Sequence, residues 1–289
     1  SPNMPSESCI DDLTLATIPH DVIRMIIKSN FGENMDSLEL ISKTWKSLVS
    51  EFFQNLPRLE YIYLGFHKEA GVLTVCLEVC KKHLKQFLKV LPNGATFHEA
   101  KEQKENVNYR AIFRLSLGSP YCFHYLRRIF QSTNHLRLLG LANYTEEMRE
   151  HTAQTMRNVE IEQIAILGKC YDDSREVIKE MITRHKPVLL GFQTFNGKRM
   201  SQREWGPFIR HTANLVPLIH ITVSSSLPSP AELLQSWKSF SENLLLDGVE
   251  RVRIADADNS VVLYRQPYFE FADLFNSYLN DTFPWPGSK

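Results

Sequence analysis

Cys76, Cys80 and His83 are the side chains best suited to hold a metal, and their i, i+4, i+7 spacing puts them on one face if the segment is helical. Zinc asks for four converging ligands, and here there is neither a Cys-x-x-Cys pair nor an identifiable fourth group. The expected role of these residues is a core face carrying two small apolar thiols, with no metal bound. Asp256, Asp258 and Asn259 resemble the opening of a calcium loop, but the glycine and the closing glutamate are missing at their required offsets. The segment reads instead as an Asp/Asn turn joining Ile254 to a strand-like Val261–Tyr264, which predicts a terminal hairpin. The ten histidines fall into neither a His-Glu-x-x-His pair nor a triad built on a Gly-x-Ser-x-Gly elbow. Ser224, Ser225 and Ser226 end a strand-like run and read as a solvated turn. Spacing therefore brings no polar cluster together, and the chain is expected to be non-catalytic, without a cofactor.

The elements that must position these groups belong to a chain of 289 residues, long enough for one or two domains and a large core. Lys+Arg and Asp+Glu both number 33, so there is no basic field to displace counterions from nucleic acid or to grip an anionic membrane. No apolar run reaches the length of a membrane span, and the polar, acidic opening SPNMPSESCIDD is not a secretory signal. The five cysteines (Cys9, Cys76, Cys80, Cys122, Cys170) are odd in number and scattered, which reads as free thiols in a reducing compartment. The expected location is cytoplasmic or nuclear, with the Asn-x-Thr triplets at Asn143 and Asn280 unglycosylated.

Large apolar residues concentrate between Leu13 and Phe53. Ile18-Pro19 opens a helix with Val22, Ile23, Ile26 and Ile27 on one face, Pro19 suiting its first turn. Phe31-Gly32 ends it, and Asp36 or Ser37 can cap a second helix carrying Leu38, Leu40, Ile41, Trp45, Leu48, Val49 and Phe52. So short a unit cannot bury all of these against each other. Ile18-Pro19, Asp21, Val22-Ile23 and Ile26-Ile27, followed by Leu38, Leu40-Ile41, Trp45 and Leu48, resemble an F-box. The departures are Ile for Leu before the proline, the extra Gly32-Glu33-Asn34 in the turn, and a basic run reduced to Lys43 with Lys46 behind the tryptophan. With the neutral chain behind it, the stretch looks like the divergent nematode group of F-box proteins.

Behind this stretch, strand-like runs alternate with amphipathic helical ones. They begin at Tyr61, Phe87, Ile112, Leu136, Ile164, Val188, Ile219 and Val249, at intervals of 24 to 31 residues. Glu146–Met156, Ser174–Arg184, Ser201–Thr212 and Pro230–Leu244 read as helices between them, and Tyr268–Leu279 as a last helix before the proline-rich Phe283–Pro286. One strand and one helix per unit forces parallel pairing with crossovers of one hand. The expected fold is therefore α/β: an N-terminal helical F-box followed by an irregular, leucine-rich-repeat-like solenoid with parallel strands on the concave face. The second choice is a doubly wound α/β domain with reordered strands, weakened by the lack of a Gly-rich loop after any strand. The expected division is a disordered 1–12, a helical 13–56 and a substrate-recognition region 57–289.

The resemblance implies a substrate-recognition subunit of a cullin-based ubiquitin ligase. Ile18, Pro19, Val22, Ile23, Ile26, Ile27, Leu38, Leu40 and Ile41 would dock a Skp-type adaptor, and through it a cullin. An unidentified protein substrate would lie on the concave strands, where alternation places Tyr61, Tyr63, Arg114, Arg137, His220, Arg251 and Arg253. Trp45 and Leu48 would join the box to the repeats. The alternatives are a non-enzymatic interaction scaffold whose N-terminal helices only cap the repeats, and an α/β enzyme with a pocket that spacing does not show.

Overall fold

A computed structural model describes residues 14–15, 17–30, 35–100, 108–153, 155–157, 159–167, 174–193, 202–223, 228–256 and 259–265. The expected Tyr268–Leu279 helix, the Phe283–Pro286 tail and the Ser224–Ser226 turn lie outside them. The chain divides into two compact units, Ser1–Pro57 and Arg58–Lys289. Among the described residues no helix is long and apolar enough to cross a membrane.

The first unit is helical: α1 (His20–Ser29), α2 (Met35–Glu39) and α3 (Lys43–Gln54). The single second helix expected from the sequence is broken in two. Ser42 marks the restart, because its Oγ accepts from the Trp45 backbone N–H at 3.3 Å and so caps α3, which begins at Lys43. Ile23, Ile27, Trp45, Leu48 and Val49 form a core inside this unit. Trp45 thus packs with the helices it was expected to bridge away from, and its Nε1–H donates to the Leu15 carbonyl at 2.7 Å.

Among the described residues the second unit carries one ten-stranded sheet in the order β10-β9-β8-β7-β6-β5-β1-β2-β4-β3. Strands β1 (Arg58–His67), β5 (His135–Ala142), β6 (Glu160–Leu167), β7 (Leu189–Gln193), β8 (Leu218–Thr222) and β9 (Arg251–Ala255) run parallel. Strands β2 (Val72–Cys80), β3 (His98–Glu99) and β4 (Asn108–Ser116) add an antiparallel flank, and β10 (Ser260–Tyr264) closes the far end as a hairpin with β9. At that hairpin the Asn259 N–H donates to Asp256 Oδ1 at 2.7 Å and the Asp256 N–H to the Asn259 carbonyl at 2.9 Å.

This architecture corrects the expected F-box plus repeat solenoid with concave strands. The chain forms a mostly parallel open α/β sheet, and of the expectation only the α/β class stands. Two misread segments hid the antiparallel flank. Val72–Cys80 alternates as a strand, so Cys76 and Cys80 sit on β2 and share no helical face with His83. Phe87–Leu91 is not a strand, because α4 (Leu84–Leu88) begins just before it.

Helices α5 (Tyr121–Gln131), α6 (Glu146–Thr152), α7 (Ser174–His185), α8 (Gln202–Ala213) and α9 (Pro230–Leu246) send their apolar residues into one core with one face of the sheet. Ser229 caps α9 by accepting from the Glu232 N–H at 3.3 Å. The strand residues of that core do not alternate strictly. They fall at Leu59, Ile62 and Leu64 in β1, at Leu136, Leu139 and Leu141 in β5, and at Ile161, Ile164 and Ile166 in β6. Each of these three strands thus takes a three-residue step before its period of two resumes. The ladders skip Glu60 opposite Arg137 and Arg137 opposite Glu162 at this step, so neighbouring strands bend together there.

On the opposite face the Tyr63 ring lies across Gly65. A Cβ built on Gly65 would come within 2.5 Å of the Tyr63 hydroxyl and 2.9 Å of its ring carbons. Gly65→Ala is expected to cost about 1–3 kcal/mol, since the buried ring must leave its position. Urea unfolding measures the cost, and a second change, Tyr63→Ala, should remove most of it.

Candidate functional site on the sheet face away from the helices

Two register rows place the polar groups of the sheet face turned away from α5–α9. One row runs from Arg110 through Glu78, Tyr61, Leu138, Gln163, Leu189 and Leu218 to Arg251. The next runs from Cys76 through Tyr63, Gly140, Ala165, Gly191 and His220 to Arg253. Small residues in the middle of the second row leave a shallow floor between Tyr63 at one end and His220 with Arg253 at the other. Glu78, Gln163, His220 and Arg251 are all buried, an unusual concentration of polar groups on a sheet.

The antiparallel end of this face is tied by charge. Glu78 accepts from Arg110 Nη2 at 2.9 Å and Nε at 3.2 Å, and from Asn108 Nδ2 at 3.0 Å. Beside it, burial pushes the Tyr61 hydroxyl well above its ordinary range, and lifts Tyr63 and Cys76 each to about 12. At the other end burial, and then the Arg253 charge, lower His220 to about 3. Its Nε2 lies 2.9 Å from Thr222 Oγ1. At neutral pH the phenols and thiol therefore keep their protons and the imidazole is uncharged. The described part of this face offers hydrogen bonds and the Arg253 charge, with neither a thiolate nor an imidazolium ready to react.

Of the seven residues expected to face a substrate, Tyr61, Tyr63, His220, Arg251 and Arg253 fall in these two rows. Arg114 is on the same face but outside both rows, opposite Thr74, and is exposed on β4 near the end of the sheet. Arg137 sits in the three-residue step, 3.7 Å from Glu60. Sequence reasoning missed Gln163, Glu78 and Arg110. Their signal was a polar residue interrupting an apolar strand at the same register as Tyr61.

A second polar cluster lies at the starts of β1, β5 and β6. Glu162 Oε1 meets Arg58 Nη2 at 2.7 Å and His135 Nε2 at 2.6 Å, and Glu160 stands 3.5 Å from His135 Nδ1. Open parallel sheets bind ligands beyond the carboxyl ends of their strands, so this cluster is at the other end and reads as a structural tie. The stretches directly after β6, β7 and β8 lie outside the described residues. A groove of about 540 Å³ between α6 and α7 is lined by Glu146, Arg149, Glu180 and Arg184. Arg149 pairs with Glu146 and, at 2.9 Å, with Glu180, which also holds Arg184 at 2.8 Å, so these four charges are mutually satisfied. Among the described residues no group of three His, Cys, Asp or Glu could hold a metal ion.

In the helical unit, Ile23 and Ile27 are fully buried, and Ile18, Ile26, Leu38 and Ile41 pack half-buried against them. Of the expected adaptor-facing residues, Pro19, Val22 and Leu40 are exposed. Met25, one turn beyond Val22, is 70% exposed and was legible from its i+3 spacing.

No family model and no curated protein matches this chain. Two solved structures are similar to it in part. A phosphomethylpyrimidine kinase from Clostridium difficile 630 is 12% identical with a TM-score of 0.31, over 41% of this chain and 56% of that one. An ADP complex of pyridoxal kinase from Bacillus subtilis is 11% identical with a TM-score of 0.32, over 78% of this chain and 82% of that one. These neighbours are small-molecule kinases, not ubiquitin-ligase subunits or leucine-rich-repeat proteins. The expected role as a ligase substrate-recognition subunit and its scaffold alternative both rested on a repeat solenoid with concave strands, which the open sheet replaces, and nothing in these neighbours speaks for the expected non-catalytic chain. At this identity and TM-score the likeness gives the chain neither a substrate nor a reaction.

Proposed function

We propose that the N-terminal helical unit is a docking module for a partner protein, and that the partner is an adaptor of Skp type. The class of partner comes from the resemblance of Ile18–Leu48 to an F-box. The observation that supports docking is apolar exposure: Val22 is 42%, Met25 70% and Leu40 86% exposed on a unit of only 57 residues. Covering a large apolar side chain contributes about 1.5–3 kcal/mol, so three of them can supply much of an interface core. Such a partner would place the chain in the cytoplasm or nucleus. The sheet unit is left out of this reading, because its polar face carries different chemistry.

The exposed residues also make a cleaner test than the buried ones. Ile23→Asp would charge the interior of the unit and unfold it whatever its function. Met25→Glu with Leu40→Glu changes only exposed positions. The full chain should form a stoichiometric complex with a purified Skp-type adaptor by isothermal titration calorimetry. The double variant should keep its helical circular dichroism and bind at least about 100-fold more weakly, the equivalent of about 2.7 kcal/mol. Absence of a complex with the unaltered chain, or a variant that binds equally well, overturns the proposal.

A further inference from the structure

The antiparallel flank of the sheet ends on an incomplete strand. β3 covers only the first part of β4, pairing His98 with Arg110 and Glu99 with Tyr109. The Ala100 N–H donates to the Asn108 carbonyl at 2.8 Å, so even-numbered residues of β4 turn their backbone groups outward. Agreeing with this, the Leu117 N–H turns inward to the Gly71 carbonyl at 2.8 Å. Beyond β3, Ile112 and Arg114 therefore carry outward N–H and C=O groups, and among the described residues no strand pairs with them. Their side chains project from the sheet face opposite the helices. Ile112 is 53% exposed, and Arg114 is exposed without an ion-pair partner among the described residues. The other arginine on this face of β4, Arg110, is already bound to Glu78.

We infer that the β4 edge from Ile112 to Arg114 takes up an extended acidic segment of another protein as an added strand. Backbone bonds to Ile112 and Arg114 set the alignment. An apolar side chain covers Ile112, and a carboxylate two residues away meets Arg114. The charge argues against a second copy of this chain as the occupant. A two-fold pairing centred on Arg114 sets two guanidiniums directly opposite. One centred on Phe113 leaves them on the same face as diagonal neighbours, and one centred on Ile112 is blocked by β3.

The probe is the peptide acetyl-Ser-Thr-Glu-Thr-Val-amide, which, running antiparallel to β4, sets its glutamate opposite Arg114 and its terminal valine opposite Ile112 and stops short of β3; it carries a fluorophore and is compared with its Lys-for-Glu counterpart. Anisotropy with the full chain should show saturable binding of the acidic peptide, at least about tenfold tighter than the basic one. Arg114→Glu should reverse that preference. Ile112→Pro removes an outward N–H that the sheet does not use, a place where an edge strand tolerates proline, so binding should vanish while the melting temperature is kept. Absence of binding, equal binding of both peptides, or binding indifferent to Ile112→Pro overturns the inference, the first of these marking Arg114 as a charge that only guards the edge. Sedimentation showing a dimer that Ile112→Pro dissolves overturns it in favour of a second copy.

Discussion

Trp45→Ala is expected to unfold the N-terminal helical unit and to leave the sheet unit folded. Trp45 is 1% exposed and stands among Ile23, Ile27, Leu48 and Val49. Its indole N–H is bonded to the Leu15 carbonyl, and so fixes the chain entering α1 as well as the packing of α1 against α3. Removing so large a buried side chain costs about 3–5 kcal/mol, and the indole bond is lost as well. A unit of this size rarely has more than about 3–5 kcal/mol from its single core, so the change exceeds what the unit can spare. Two-probe denaturation checks the result. Amide exchange in residues 20–54 should rise to unfolded rates, while strands β5–β9 stay protected. Trp45→Phe should retain most of the fold. Protection of α1 and α3 equal to that of the unaltered chain would mean the unit is held by something other than this core.

The parts of the fold legible in the sequence were those that repeat. β5, β6, β8 and β9 were marked by Leu136, Ile164, Ile219 and Val249, and α6, α7, α8 and α9 by charged residues opposite an apolar stripe. The three-residue step was present in Leu136-x-x-Leu139-x-Leu141 and Ile161-x-x-Ile164-x-Ile166, but strict alternation was the template applied. Of the antiparallel flank only β4 was legible, through the strand-like run at Ile112. Val72–Cys80 contains apolar residues at both helical and strand spacing, and only its long-range pairing with Tyr61–His67 and Asn108–Ser116 decides. A long-range pairing also explains why the polar face was half found. Tyr61 and His220 stood out one by one, whereas the row linking Tyr61 to Gln163 and Arg251 depends on register between strands far apart in the chain. In the helical unit the apolar content was legible, but not its partition, because only α3 folding against α1 decides that Ile23 goes in and Met25 stays out.

Below neutral pH the sheet unit is expected to lose stability through His220. This imidazole is buried on β8, opposite Gly191 on one side and Arg253 on the other. Burial is the main reason it resists protonation, and the neighbouring guanidinium adds to it, bringing its pKa down to about 3. An unfolded histidine titrates near 6.5, so as the pH falls through that value the unfolded chain takes up a proton that the folded chain refuses. Stability is then full above about 6.5 and declines toward about 3, by roughly 1.4 kcal/mol per pH unit once well below 6.5. Between pH 7.5 and 5 the loss from this one group is about 2 kcal/mol, in a range where ordinary carboxylates are still largely ionised. His185, also lowered chiefly by burial despite accepting help from the Val159 carbonyl, acts in the same direction. His220→Gln keeps a polar group beside Thr222 and cannot titrate. Urea unfolding at pH 7.5, 6 and 5 should therefore show a drop about 2 kcal/mol shallower in the variant than in the unaltered chain, even if the variant starts lower at pH 7.5. Parallel curves would show that His220 protonates freely, and that the face around it is open to water rather than sealed.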